Sequence, residues 1–353
     1  MKLASILREA LRNVRSGTAR AISSGALFLL LVCALNAADM TIIQSIHDEA
    51  QEFQDAGASI ITFEASGQID GDACKALTGI GTIRAAGALR AAEPVRLAVL
   101  PDGAVPTYEI TPGLLTVLGV GPVGPGLVIS DQVAEMTGAV SGDELATAEG
   151  VARIAEVYSY PSDGRRSGFG YAALKPVMSS APFDECWVEA WPTSPQTSAI
   201  VRSTLIPSED GGQGSYAQLN GTHGSQFEGE RLFRERLTRI VPVVAFASGA
   251  ALAALLVRMR RLSHASALHA GASHGDLLSI WAAETICWIS PGILAAMGVT
   301  AFFAVRSPGQ DAVTLLIAGA ATPLAALAGI AWGGMWAHLS IRERHLFRYF
   351  ADR

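Results

Sequence analysis

Residues 21–38, 240–257, 277–305 and 312–337 are apolar runs that carry a single charged side chain between them, Glu284. Each is close to the roughly 20 residues that a helix needs to cross the hydrocarbon core of a bilayer, allowing for tilt and snorkelling flanks. Within that core every backbone N–H and C=O must be satisfied by the segment itself, which leaves the helix as the state for such a run. Half of the chain is hydrophobic and only 16% is charged, outside the habit of ordinary soluble proteins. The sequence therefore predicts a membrane protein with four transmembrane α-helices.

Charge orients those helices. Residues 1–20 hold Lys2, Arg8, Arg12, Arg15 and Arg20 against Glu9; the turn after the second run holds Arg258, Arg260 and Arg261; the tail holds Arg342, Arg344, Arg348 and Arg353 against Glu343 and Asp352. The positive-inside rule puts all three in the cytoplasm. Residues 39–239 contain 26 acidic and 13 basic side chains, so the long insert is an acidic, solvated domain outside, and nucleic acid is not an expected partner. The implied layout is a cytoplasmic amphipathic helix over 1–18, spans over 19–41, 238–257, 277–305 and 312–337, an extracytoplasmic domain over 42–237, a cytoplasmic loop over 258–276 and a cytoplasmic tail over 338–353. A cleavable signal peptide is the alternative for the first run, with Ala34-Leu35-Asn36-Ala37 as the cleavage site. The run continuing into a helical pattern argues against it, and Val32 before Cys33 argues against a lipoprotein.

Inside the insert the pattern changes. Ile42, Ile43, Ile46, Ala50 and Phe53 keep a helical period past the first span, as do Leu232, Phe233, Leu237 and Ile240 before the second; together they predict helical stalk extensions. Between them, 58–65, 95–100, 126–130, 151–160 and 185–192 are short β-branched or aromatic runs bounded by Gly, Pro and Asp, hence strands. Ser130 before Asp131-Gln132-Val133 predicts a capped short helix. The insert is thus α+β, with the Gly/Ser-rich stretch 208–225 as a flexible loop. Cys74 and Cys186 both fall in it, where a disulfide could form and persist; two buried free thiols are the alternative. Cys33 and Cys287 fall within spans.

Little in the chain suggests chemistry of its own. It has no G-x-x-x-x-G-K-[ST], His-Glu-x-x-His or CxxC, so no catalytic residue, metal site or bound cofactor is expected. Gly211-Gly212-Gln213 lacks the Leu-Ser of an ABC signature and lies on the wrong side. His264, His269 and His274 recur every five residues, which spreads them around a helix by about 140° each and suits polar loop positions better than a metal. Glu284 lies about two turns into the third span, where an ionisable group is costly. It either serves a proton or substrate or makes a hydrogen bond between helices. Trp187 and Trp191 share a strand face as core or as a binding patch. Pro291, Gly292 and Pro323 permit kinks, and Gly319, Gly329, Gly333 and Gly334 permit close helix contact.

Three passages resemble a known superfamily. Ala267, Leu268, Gly271, Ala272, Ser273 and Asp276 to Leu278 resemble the "ALGAS-x-x-DLL" pattern of MacB, FtsX and LolC permeases of ABC transporters, which follows a short basic stretch and precedes a helix with an early Glu, here Glu284. LREALRNVRSGTAR, residues 7–20, resembles the superfamily's opening helix, with Leu7, Arg8, Leu11, Arg12 and Arg15 on it. Residues 107–138 resemble a passage of the MacB-like periplasmic core domain through Thr111, Pro112, Leu115, Val117, Leu118, Gly119, Ser130, Ala134 and Gly138. Most of 140–225 has no such counterpart. The resemblance implies a type VII permease in the bacterial cytoplasmic membrane, working as a homodimer with two copies of a separate ATPase that binds ATP and Mg. Arg258, Arg260, Arg261, Leu268, Gly271, Ala272, Ser273 and Asp276 would couple to that ATPase. The alternatives are an FtsX-like regulator of an exterior cell-wall hydrolase and a membrane-anchored sensor or adhesion protein.

Overall fold

The apolar runs fold as long helices, and the insert between the first two folds as a sheet. The computed structural model describes residues 3–98, 103–207, 214–306 and 312–342. Its helices are α1 (Leu3–Arg15), α2 (Ala21–Asp55), α3 (Gly71–Ala76), α4 (Pro112–Val117), α5 (Asp131–Thr137), α6 (Pro195–Val201), α7 (Gly229–Glu235), α8 (Val241–Met259), α9 (Arg261–His269), α10 (His274–Arg306) and α11 (Ala312–Ser340). The strands are β1 (Ile60–Ile69), β2 (Ile83–Arg96), β3 (Ala104–Ile110), β4 (Leu127–Ser130), β5 (Glu144–Thr147), β6 (Gly150–Tyr158), β7 (Ala173–Pro176), β8 (Phe183–Ala190) and β9 (Ser215–Gln218). Two compact units result: Met1–His47 with Gly229–Arg353, and Asp48–Glu228.

In the first unit, α2, α8 with the turn before it, α10 and α11 are each long and apolar enough to cross a membrane. Water does not drive apolar helices together inside a bilayer, so they associate by close backbone packing and a few polar contacts. Both occur here. A Cβ on Gly329 would lie 2.0 Å from the Phe246 carbonyl oxygen and one on Gly333 2.2 Å from that of Ala250, so α11 rests directly on the α8 backbone. Between α2 and α10, Phe28 meets Trp288 edge to face at 5.7 Å, and buried Asn36 donates to the Ala296 carbonyl and Thr300 Oγ1, each at 2.9 Å. Pro291 and Pro323 lie inside α10 and α11 without ending them. Ile22, Leu30, Leu294 and Val305 point outward, as hydrocarbon-facing side chains should.

The second unit is a nine-stranded mixed sheet in the order β5-β6-β4-β7-β3-β2-β8-β1-β9, antiparallel except where β3 meets β7 and β4 meets β6. Alternation along β8 divides its core. Trp187 faces a cluster with Leu89, Tyr158 and Phe169, while Cys186 and Val188 face another with Phe63, Ile69 and Ala88. Cys74 of α3 is bonded to Cys186, both fully buried, which closes a loop over 112 positions. Trp187 is thus core and Trp191, past the strand end, packs with Phe53 and Phe227. The short helix at 131 has Ser130 as its cap, Oγ accepting from the Val133 N–H, and Gly138 left-handed at its end.

The last turn of α2 is firmly held. Ala58 N–H reaches the Phe53 carbonyl at 3.0 Å and Gly57 N–H the Gln54 carbonyl at 2.8 Å, with Gly57 at φ 72°; these are the two bonds of a Schellman ending, which needs a left-handed residue. Its remaining carbonyls are taken by side chains of the sheet unit: Arg165 donates to Asp55, Asn220 to Ala56 and Gln218 to Ala58.

Several expectations need correction. The helical period at 232–240 does not give one helix: α7 ends at Glu235, Arg236 is extended at ψ 137°, and a 3₁₀ turn covers Leu237–Ile240. Pro242 supplies the reason, since it has no N–H for the carbonyl four residues earlier and suits only the first turn of α8. Of the strand expected over 95–100, only Val95 and Arg96 lie in β2, and 99–100 are outside the described residues. The flexible loop expected over 208–225 holds β9, where Tyr216 stacks on Phe63 at 4.5 Å; residues 208–213, which include Gly211-Gly212-Gln213, lie outside the described residues. So do 343–353 of the tail.

Candidate functional site

The helix ends of the first unit converge on Glu284. Arg260 closes α8 and opens α9. The nine-residue α9 ends in the same two-bond motif as α2: Ala272 N–H to Ala267 O and Gly271 N–H to Leu268 O, both 3.0 Å, with Gly271 at φ 94°. The next turn of chain is a capping box. Ser273 Oγ accepts from the Asp276 N–H at 3.1 Å, and Asp276 Oδ2 accepts from the Ser273 N–H at 3.3 Å. Gly271 is therefore required by its backbone conformation, and Ser273 and Asp276 start α10.

Nearly three turns into α10, Glu284 is only 3% exposed. Its Oε2 accepts from Arg260 Nη1 at 2.5 Å and its Oε1 from Asn13 Nδ2 of α1 at 2.7 Å. One carboxylate thus joins α1, the α8–α9 junction and α10. Of the two roles open to it, the bond between helices is the one the geometry provides. Arg260, expected as an ATPase-coupling residue of the loop, is turned inward to this pair with 21% of its side chain exposed. The reason is electrostatic, because a buried carboxylate is tolerated only when paired or hydrogen-bonded.

Beside this knot, His264 of α9 and His338 of α11 meet Nδ1 to Nδ1 at 3.3 Å, both buried, with the Trp281 ring 5.6 Å from His338. His264 was expected as a polar loop residue; α9 instead lies with His264 and Ala265 inward. Burial, with His338 and Arg260 adding to it, lowers the His264 pKa to about 3. At neutral pH it is an uncharged imidazole that anchors α9.

The other sequence candidates divide by face. Leu268 packs inward toward Val257, Ala265, Ala337 and Ile341. Arg258 is exposed and lies over the Trp336 ring at 5.5 Å, and Arg261 is half-buried. Ser266, His269 and Ala270 form the exposed side of α9. On α1, Ala10 is buried and Asn13 bonded to α10, while Leu7, Arg8, Leu11, Arg12 and Arg15 are exposed, Arg12 pairing with Glu9 at 2.7 Å. Sequence reasoning passed over Asn13, Trp281 and His338. Asn13 had a signal: with Ile6 and Ala10 it completes an i, i+4, i+7 stripe in which it alone is polar.

Two clefts of about 410 and 350 Å³ share Arg260, Ser263, His264, Trp281 and Glu284 in their walls, and Ala272 lines the smaller. Arg260 Nε and Thr285 Oγ1, both in the wall residues of the larger cleft, are buried without a hydrogen-bond partner among the described residues. The sheet unit has an open groove of about 830 Å³ along β2, β3 and β5. There the Arg90 guanidinium bonded to Glu109 holds its carboxyl below the usual carboxylate range against the opposing effect of burial, with Lys175 assisting. Among the described residues no three His, Cys, Asp or Glu are grouped to hold a metal.

No family profile matches the chain, and no curated protein does. Solved structures similar to it include the periplasmic region of MacB from Actinobacillus actinomycetemcomitans, with a TM-score of 0.35 and 9% identity over 48% of this chain and 94% of that one. A domain of a protein described as a permease, from Porphyromonas gingivalis, has a TM-score of 0.32 and 16% identity over 47% and 92%. The extracellular domain of the ABC-type transporter YknZ from Gram-positive bacteria has a TM-score of 0.31 and 12% identity over 46% and 100%.

Proposed function

We propose that this chain is the permease subunit of a MacB-like ABC transporter in the bacterial cytoplasmic membrane, paired with a second copy of itself. A separate ATPase in two copies holds ATP and Mg, and its closure moves the permease to export a peptide, an antibiotic or a lipophilic compound from the outer side. The observation that carries this reading is the position of α9. It is a short helix between two spans, with Ser266, His269 and Ala270 exposed and His264 and Ala265 anchored. Arg260 at its first end is tied to Glu284 and, through it, to Asn13. A push on the outer side of α9 therefore acts at once on α1, α8 and α10. The sequence resemblance over 258–284 supports the same assignment.

Gly271 is a poor place to test docking, since any side chain there strains a left-handed residue. Ser266→Trp leaves the backbone alone and enlarges only the outer face. With the permease and its ATPase co-expressed and reconstituted, we expect this variant to fold, to retain much less ATPase on purification and to lose export. Wild-type association, hydrolysis and export in Ser266→Trp would sink the proposal.

A further inference from the structure

We propose that the 410 Å³ cleft beside Glu284 binds the phosphodiester headgroup of an anionic phospholipid, from the leaflet on the side of the membrane that carries the N-terminus. The cleft is lined by donors from three parts of the unit: Ser16, Thr18 and Arg20 from the turn between α1 and α2, Arg260 and Ser263 around the start of α9, and Thr285 from α10. Glu284 is the one acid in its wall, and both of its oxygens already accept bonds. Arg20 makes no side-chain bond or ion pair among the described residues and is held at φ 49°, a conformation that costs a non-glycine residue energy. Arg260 Nε and Thr285 Oγ1 are buried and unpartnered, and Thr285 is only 5% exposed. A buried donor without an acceptor is destabilising. An acceptor-only, negatively charged group in the cleft neutralises the Arg20 guanidinium, and a small shift of the wall side chains brings Arg260 Nε and Thr285 Oγ1 to it.

The surroundings select a lipid over a free anion. The cleft lies where the sequence passes from Arg20 into the apolar run that begins at Ala21, the depth at which headgroups meet hydrocarbon. Directly beyond it on α2, Ile22 is 91% exposed, and Leu27 and Leu30 are exposed as well, so acyl chains attached to a phosphate in the cleft have an apolar surface to follow. Basic pockets between membrane helices are a recurrent headgroup site.

The test is native mass spectrometry of the full chain in mild detergent with added phosphatidylglycerol, with phosphatidylcholine as the zwitterionic comparison. We expect retained phosphatidylglycerol in preference to phosphatidylcholine, and roughly tenfold weaker retention in Arg20→Gln and in Thr285→Val, the scale of losing a hydrogen bond to a charged group. Arg15→Gln removes a nearby exposed cation outside the cleft and should retain the lipid as the wild type does. Circular dichroism and gel filtration confirm that each variant is folded. Equal retention by wild type and both cleft variants, an equal loss in Arg15→Gln, or displacement of the lipid by millimolar inorganic phosphate would overturn the proposal. None of these outcomes depends on an ATPase, so the binding site stands or falls apart from the transport reading.

Discussion

Two buried carboxylates, one in each unit, show how the same device serves opposite ends. In the sheet, Glu185 is 7% exposed and accepts from Arg166 at 2.6 and 2.8 Å and from the Trp187 indole at 2.8 Å. The Arg166 guanidinium lies 5.4 Å from the Phe169 ring and 5.6 Å from that of Trp187. All of its partners belong to one core, and the knot is closed. Among the helices, Glu284 is more deeply buried, yet its two bonds reach two other elements, and its Arg260 partner keeps an unpartnered Nε beside a cleft. The first arrangement fixes a fold, because nothing in it can move without loss. The second joins parts that would otherwise move separately and leaves one donor for something else.

If that contrast holds, removing the closed knot should cost the most stability. Glu185→Ala leaves the Trp187 N–H without its acceptor and a guanidinium without its partner. Since a third of Arg166 is exposed, the loss is expected to be about 2–4 kcal/mol, less than for a fully buried pair. Thermal or denaturant unfolding followed by tryptophan fluorescence measures it, and a change under 1 kcal/mol would place the pair among ordinary surface bridges.

Glu284→Gln should cost less stability, about 1–3 kcal/mol, because the amide oxygen can still accept from Asn13 and Arg260 can reach solvent. Its larger effect should be functional: ATPase association retained, and stimulated hydrolysis and export reduced. Loss of folding together with unchanged specific activity in the surviving fraction would make Glu284 a second closed knot and end the comparison.

The smallest effect concerns pH. His264 is neutral in the fold, with its pKa lowered to about 3 from an ordinary 6.5. A depressed pKa means that the unfolded chain takes up the proton first. The contribution of this residue is therefore complete above pH 6.5 and declines as pH falls toward 3. Between pH 7 and 5 the wild type should lose roughly 2–4 °C more in Tm than His264→Asn. Parallel curves would show that the imidazole pair is not what anchors α9.

The two units were unequally legible in the sequence. Hydropathy marks the apolar runs because a bilayer admits one backbone solution, and α2, α8, α10 and α11 lie over them. The cap at Ser130 was also open to local reading, as its motif is complete within eight residues. β2 was not. Its Ala85-Ala86-Gly87-Ala88 core is small because α4 lies on it, a Cβ at Gly87 falling 2.1 Å from the Leu114 nitrogen, and small residues carry little strand propensity. Glu284 stood out as the one charge in an apolar run, whereas Glu185 was one acid among many, its partner 19 residues away in a polar turn. Cysteine position allowed a Cys74–Cys186 bond without deciding it, since sequence carries no Cα distance. Asn13 and Glu284 each had a local mark, yet nothing local says that the two meet across 271 positions.

The firmly held end of α2 has a consequence for rotation. At 1.5 Å and 100° per residue, its 35 residues make a shaft of about 52 Å, well beyond the roughly 30 Å of a hydrocarbon core. Because Arg165, Asn220 and Gln218 grip its final carbonyls, that end offers no slack in which an angular error could be lost. Inserting one residue between Phe53 and Gln54 would turn Phe53 by about 100° and shift it by about 1.5 Å away from Trp191 and Phe227, while inserting four would leave a phase error of only about 40°. Along this helix angular phase is tied to sequence length, so a change of one residue alters direction far more than distance.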